Sequence, residues 1–174
     1  LNFKFKKGKI YSLSGPSGSG KSTLLNLLSL IDRPSSGSIK IDNQNINHNE
    51  IEINDKIRSK NIGIVYQEKN LLPDFTTIEN VYIASLAANN NHKIAEQESL
   101  KIIQKVGLKD RANHYPSELS GGEMQRIAIS RAIVNKPRII LADEPTGSLD
   151  HENANQIFNL LFKLKNKDCV IIFA

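Results

Sequence analysis

The chain has 174 residues, 39% of them hydrophobic and 24% charged, with a formal net charge of +5. That is enough chain for one domain with a real core, and an ordinary composition for a globular protein. The lysines are scattered, with no basic run longer than Lys6-Lys7, so the charge does not point to nucleic acid as a partner.

No apolar stretch approaches the roughly 20 residues of a membrane-spanning helix; a membrane role is therefore expected to run through partner subunits. The single cysteine, Cys169, leaves no internal disulfide to form and lies in the apolar run CVIIFA, expected to be a buried strand. The chain starts at Leu1 and stops in the strand-like VIIFA, so a polypeptide cut from a longer one at both ends is expected.

Along the chain, Leu1, Phe3 and Phe5 alternate with polar residues, Gly8 offers a turn, and Ile10–Leu13 resumes the apolar pattern. Two short strands are predicted, the second running into a glycine-rich loop. Leu24–Ile31 is dense in leucine and bounded by Pro34 and Gly37, which predicts a buried helix. Ile39–Ile41 reads as a short strand, residues 42–55 with their five asparagines as a surface loop, and Ile62–Tyr66 as a buried strand.

Thr76 and Glu79 have capping-box spacing at the head of a helix through Ala88. Asn89-Asn90-Asn91 ends it, and a second helix is predicted over Lys93–Val106, closed by Gly107. Ser120 and Glu123 repeat the capping spacing, with Met124, Ile127, Ala128 and Ala132 following at helical period. Strands at Ile139–Ala142 and Cys169–Phe173 flank a helix around Asn153–Leu164. Strands alternating with helices predict an α/β fold with a mostly parallel sheet covered on both faces, carrying a helical insert.

Gly15-Pro16-Ser17-Gly18-Ser19-Gly20-Lys21-Ser22 matches the phosphate loop G-x-x-x-x-G-K-[ST] between a predicted strand and helix. Its glycines let backbone N–H groups wrap a β-phosphate, Lys21 reaches the β- and γ-oxygens, and Ser22 ligates Mg²⁺. Thr23 follows as a further nucleotide-binding candidate. The apolar strand Ile139–Ala142 ends in Asp143, the acid expected on the metal side of the site, and Glu144 comes next. A carboxylate one residue beyond the metal acid is placed to orient or deprotonate a water in line with the γ-phosphate. The pair favours hydrolysis over transfer to a second substrate, so the sequence predicts an ATPase using ATP and Mg²⁺.

Ser120-Gly121-Gly122 opens a helix, where unpaired N–H groups and the positive dipole end favour phosphate. Taken alone, those residues read more safely as a well-capped helix. Their order with the other parts decides: the phosphate loop, Tyr66-Gln67, Leu119-Ser120-Gly121-Gly122-Glu123, Asp143-Glu144 and Ser148-Leu149-Asp150 together resemble the ABC ATPase family over essentially the whole chain.

The resemblance implies a nucleotide-binding core over residues 1–69 and 136–174, with a small antiparallel β region, and a helical subdomain over residues 70–135. It also implies a second copy of the chain as partner. Each ATP would lie between the phosphate loop of one copy and Ser120, Gly121 and Gly122 of the other, with Gln67 touching Mg²⁺ and the attacking water and Asp150 coupling the two sites. Two parts of the family pattern are missing. The adenine-stacking aromatic belongs upstream of the residues that precede Gly15, and the switch histidine belongs just after VIIFA; His48, His92, His114 and His151 do not replace it.

Leu71-Leu72-Pro73-Asp74-Phe75-Thr76-Thr77-Ile78-Glu79-Asn80-Val81 and Ala142–Asp150 look like the branch of lipoprotein-releasing ATPases, macrolide exporters and the cell-division ATPase, nearest the first. That implies integral membrane subunits as partners and a peripheral position on the cytoplasmic face of the inner membrane. Macrolide or peptide export and cell division stay open as alternatives.

Overall fold

The computed structural model describes residues 1–147, 151–164 and 167–174. Strands β1 (Ile10–Ser12), β4 (Ile62–Val65), β5 (Ile139–Ala142) and β6 (Val170–Phe173) form one sheet in the order β1-β6-β5-β4, all parallel. A two-stranded antiparallel ribbon joins β2 (Lys40–Ile41) to β3 (Gln44–Asn45). The helices are α1 (Lys21–Leu28), α2 (Ile51–Asn61), α3 (Thr77–Ala87), α4 (His92–Lys105), α5 (Gly121–Ile133) and α6 (His151–Leu164).

Strands β4, β5 and β6 are buried on both faces, as parallel strands are when crossover helices cover them, while Ile10 and Ser12 of the edge strand β1 are exposed. Side chains alternate along each strand, so neighbours in sequence enter different cores. Ile140, Ala142 and Ile171 join Val81, Ile103, Ile127, Ile129, Ile157 and Leu161 beneath α3–α6. Leu141 and Ile172 turn the other way, to Leu25, Leu30 and Ile46 beside α1. Gly63 is required by contact: a Cβ there would stand 2.2 Å from the Ala132 carbonyl oxygen, so α5 lies directly on β4.

Three expectations change. Residues 1–5 form no strand; Phe3 and Phe5 instead pack edge-to-face with each other and with Tyr11, at centroid distances of 4.8–5.7 Å. The alternation there reflects this aromatic cluster, and the Lys6 N–H donates to the Tyr11 hydroxyl rather than to a ladder.

Residues 42–55 are a hairpin and half a helix rather than a loop. Asp42 and Asn43 both have positive φ, 50° and 65°, the turn that brings β3 back onto β2. In α2 Asn54 is buried and Ile57, Arg58, Ser59 and Asn61 are half-buried, and of these Asn54, Ile57, Arg58 and Asn61 follow the i, i+3, i+4, i+7 spacing of one helix face. Three of the four are polar, so a search for apolar periodicity passes over them. Their polar groups are used locally: Asn54 Nδ2 donates to the Asn47 carbonyl at 3.0 Å, and Arg58 Nη1 to the Leu30 carbonyl at 3.1 Å.

The helix expected over Leu24–Ile31 starts three residues earlier, at Lys21, directly on the phosphate loop. It ends at Leu28, with Leu30 at φ 62° turning the chain away.

The capping boxes at Thr76/Glu79 and Ser120/Glu123 both form. Cys169 is buried immediately before β6.

Candidate nucleotide site

Pairing register places Ser12, Phe173, Ala142 and Val65 in one row across the four strands. Because all four run in parallel, the segments that follow them emerge along one edge: the phosphate loop after β1, Asp143-Glu144 after β5, and Tyr66-Gln67 after β4. Open α/β sheets bind ligands at that carboxyl edge.

Within the loop, Gly18 and Gly20 have φ of 78° and 89°, left-handed values that glycine adopts without steric cost. A Cβ on Gly15 would come 2.7 Å from Ser19 Oγ, which explains why the first position is also glycine. The Ser19 N–H donates to the Pro16 carbonyl at 3.2 Å, closing the turn. The Lys21 ammonium donates back to the carbonyls of Gly15 at 2.9 Å and Pro16 at 3.2 Å, spanning the mouth of the loop. Gly20 is the N-cap of α1 and supplies no side-chain cap, so the first N–H groups of α1, at Lys21, Ser22 and Thr23, are left for a ligand. Ser17, Ser22 and Thr23 are exposed on this rim.

Asp143 is half-buried, and its N–H donates to the Val65 carbonyl at 2.9 Å, so it extends the sheet by one residue. With Tyr66 and Asn26 it lines a small cavity under α1. Glu144 leaves the strand at φ 42°, in the left-handed region that few non-glycine residues enter. Its N–H bonds the Ala174 carbonyl at 3.2 Å, and the Gly147 N–H closes a turn on the Glu144 carbonyl at 3.0 Å. The carboxylate folds over Gly147, where a Cβ would approach Glu144 Oε2 to 3.1 Å. Gln67 is exposed at the end of β4. Asp150, with Ser148 and Leu149, lies outside the described residues.

Ser120, Gly121 and Gly122 are not part of this cluster. α1 and α5 bury their apolar residues on opposite faces of the sheet. No hydrogen bond among the described residues joins Ser120–Gly122 to the phosphate loop. The Ser120 hydroxyl donates to Glu123 Oε2 at 2.7 Å, while the Glu123 N–H donates to Ser120 Oγ at 3.3 Å. Glu123 also accepts from the Ser120 N–H and from Arg111 Nε, which hold its carboxyl below the ordinary glutamate range, the Ser120 N–H foremost. Ser120 and Gly121 are exposed at the start of α5.

Three further side chains matter that sequence reading passed over. Gln125, buried within α5, donates to the Pro145 carbonyl at 2.7 Å. Arg131 donates from Nη1 to the Asn70 carbonyl at 2.5 Å and from Nη2 to the Lys69 carbonyl at 2.9 Å; burial lowers its pKa from the ordinary arginine value. Asn80 binds Leu72 through both its amide oxygen and nitrogen, and reaches the Phe75 and Thr76 carbonyls as well. A polar residue recurring on an otherwise apolar helix stripe was the available signal for Gln125.

A glycine loop on a helix start, a lysine across its mouth and an acid pair at the end of β5, one strand removed across β6, define a P-loop nucleoside triphosphatase. The sequence model described as "ABC transporter" matches residues 1–147. The lipoprotein-releasing system ATP-binding protein LolD of Bacteroides fragilis is 43% identical over 167 residues, 96% of this chain and 77% of that protein. LolD of Rickettsia bellii is 44% identical over 99% of this chain and 76% of its own length. LolD of Buchnera aphidicola is 46% identical over 95% and 72%.

Two solved structures of the ATP-binding cassette MJ0796 superpose on the whole fold. A dimeric post-hydrolysis state bound to ADP and Pi gives a TM-score of 0.82 at 36% identity, covering 100% of this chain and 78% of that one. A second dimeric structure gives 0.84 at 37% identity, covering 99% and 78%. The chain belongs to the ABC transporter family, as an ATP-binding, ATP-hydrolysing subunit.

Proposed function

We propose that this chain hydrolyses ATP at the interface of a head-to-tail pair and thereby energises release of lipoproteins from the inner membrane. The lipoprotein reading rests on 43–46% identity to LolD proteins over nearly the whole chain. The observation that carries the paired site is the position of the Ser120–Gly122 tip: outward-facing, and across the sheet from the phosphate loop of its own chain.

In this account the N–H groups of Gly15–Thr23 wrap the phosphates, and Lys21 exchanges its two loop carbonyls for β- and γ-oxygens. Ser22, Asp143 and Gln67 offer hydroxyl, carboxylate and amide oxygens, a donor set suited to Mg²⁺, which prefers oxygen ligands and keeps bonds to phosphate. When bound, Mg²⁺ neutralises charge on the phosphate oxygens. Glu144 holds or accepts a proton from the attacking water, with Gln67 orienting that water. From the other copy, Ser120, Gly121 and Gly122 donate to the γ-phosphate, aided by the positive end of α5. Asp150 is assigned the coupling of the two sites.

No helix among the described residues is long and apolar enough to cross a membrane. In this account the chain is a peripheral subunit carried by integral membrane partners. The exposed Leu72 and Phe75, on the loop before α3, receive a helix from such a partner.

Three experiments test this reading. Lys21→Ala removes the only cation in the loop and is expected to abolish ATP binding in a titration by isothermal calorimetry. Glu144→Gln is expected to bind ATP and accumulate as a nucleotide-held dimer in sizing chromatography; a variant that stays monomeric with ATP contradicts the role of Glu144. Co-purification is expected to recover a membrane subunit that binds lipoproteins; recovery of a drug-exporting or division partner in its place contradicts the assigned cargo.

A further inference from the structure

Helix α5 begins at the Ser120–Gly122 tip and touches both loops that carry the hydrolytic residues. Gln125, 1% exposed, donates 2.7 Å to the Pro145 carbonyl, one residue past Glu144. Arg131 forks onto the carbonyls of Lys69 and Asn70, two and three residues past Gln67. These donors are six residues apart, about 240° around a helix of 3.6 residues per turn, so they face different loops. From the tip they lie about 7.5 Å and 16 Å along the axis at 1.5 Å per residue.

Each loop is fixed at its other foot by the sheet. The Asp143 N–H bonds Val65, which leaves Tyr66–Glu68 as a short excursion between β4 and the Arg131 fork. Glu144, already held in a left-handed conformation by Ala174 and Gly147, is tied from below through Pro145. The C-terminal half of α5 is itself rigid on β4, where Ala132 leaves no space for a Cβ on Gly63.

We propose that Gln125 and Arg131 are positioning residues that make α5 a strut. It joins the tip that meets the partner's nucleotide to the loops placing Glu144 and Gln67 over the chain's own. Engagement of the tip in one site is thereby relayed to water activation in the other. The inference rests on the roles proposed above for Glu144, Gln67 and Ser120–Gly122.

The test uses Gln125→Met and Arg131→Met, which keep much of the side-chain length and lose the donors. Steady-state ATP hydrolysis is measured for each. ATP affinity and ATP-dependent dimer formation are measured after each change is added to Glu144→Gln. The expected result is a kcat lower by about tenfold or more, as small displacements of reacting groups produce, with KM, ATP affinity and dimer formation within about twofold. A role confined to folding lowers all of these together and overturns the proposal, as does an unchanged kcat. If Glu144→Gln alone fails to close on ATP, the proposed function falls and this inference with it. If that variant closes but the methionine variants hydrolyse normally, only the strut is refuted.

Discussion

At the scale of single residues, electrostatics concentrate at the head of α5. Glu123 accepts from the Ser120 N–H and hydroxyl and from Arg111, so its pKa in the folded chain is below the ordinary value. A depressed carboxylate stabilises the fold above its unfolded pKa, and the contribution disappears as pH falls through the lower, folded pKa. The stability advantage of the native chain over Glu123→Gln is thus expected to be full at neutral pH. It should shrink below roughly pH 4.3, the ordinary glutamate value. Thermal melts of both proteins across pH 3–7 check this; a difference independent of pH would show that the carboxylate charge is irrelevant to the cap.

The same residues explain what was readable in advance. Capping boxes and the phosphate loop are local patterns whose chemistry needs particular residues at fixed spacing, so Thr76/Glu79, Ser120/Glu123 and Gly15–Ser22 could be placed from sequence. The Gln125–Pro145 and Arg131–Asn70 bonds join positions 20 and 61 residues apart, and no local pattern encodes them.

At the scale of elements, β4 and α5 meet backbone to backbone. Gly63 faces the Ala132 carbonyl across a gap that excludes a methyl group. Because the obstacle is helix backbone rather than a flexible side chain, Gly63→Ala must push α5 from the sheet. A loss of about 3 kcal/mol is expected, the upper range for overpacking, measured by chemical denaturation. A loss under about 1 kcal/mol would mean that the interface yields easily.

Buried apolar strands such as Ile139–Ala142 were legible because both faces of a parallel sheet are covered. The β2–β3 hairpin and α2 were not. In α2 the sheltered face sets Asn54, Arg58 and Asn61, bonding to backbone carbonyls, beside Ile57, and a largely polar inward face has no hydrophobic period. The N-terminal alternation misled for the converse reason: an aromatic cluster around Tyr11 has the same pattern as a strand without its ladder.

At the scale of the whole molecule, one chain presents two half-sites that it does not bring together. The phosphate loop, Asp143, Glu144 and Gln67 share the carboxyl edge of the sheet, while the exposed Ser120–Gly121 tip heads α5, a helix on the opposite face from α1 that packs against α3, α4, α6 and β4. On the proposed function, a complete set of donors around a γ-phosphate needs a second copy, with ATP as the anionic bridge between copies.

The most direct check is the ATPase rate per chain of the isolated protein over a dilution series spanning monomer and dimer, with the oligomeric state followed by light scattering. Cooperative assembly predicts a rate per chain that falls toward zero as the protein becomes monomeric. A constant rate per chain down to dilutions at which only monomer is present would contradict the account.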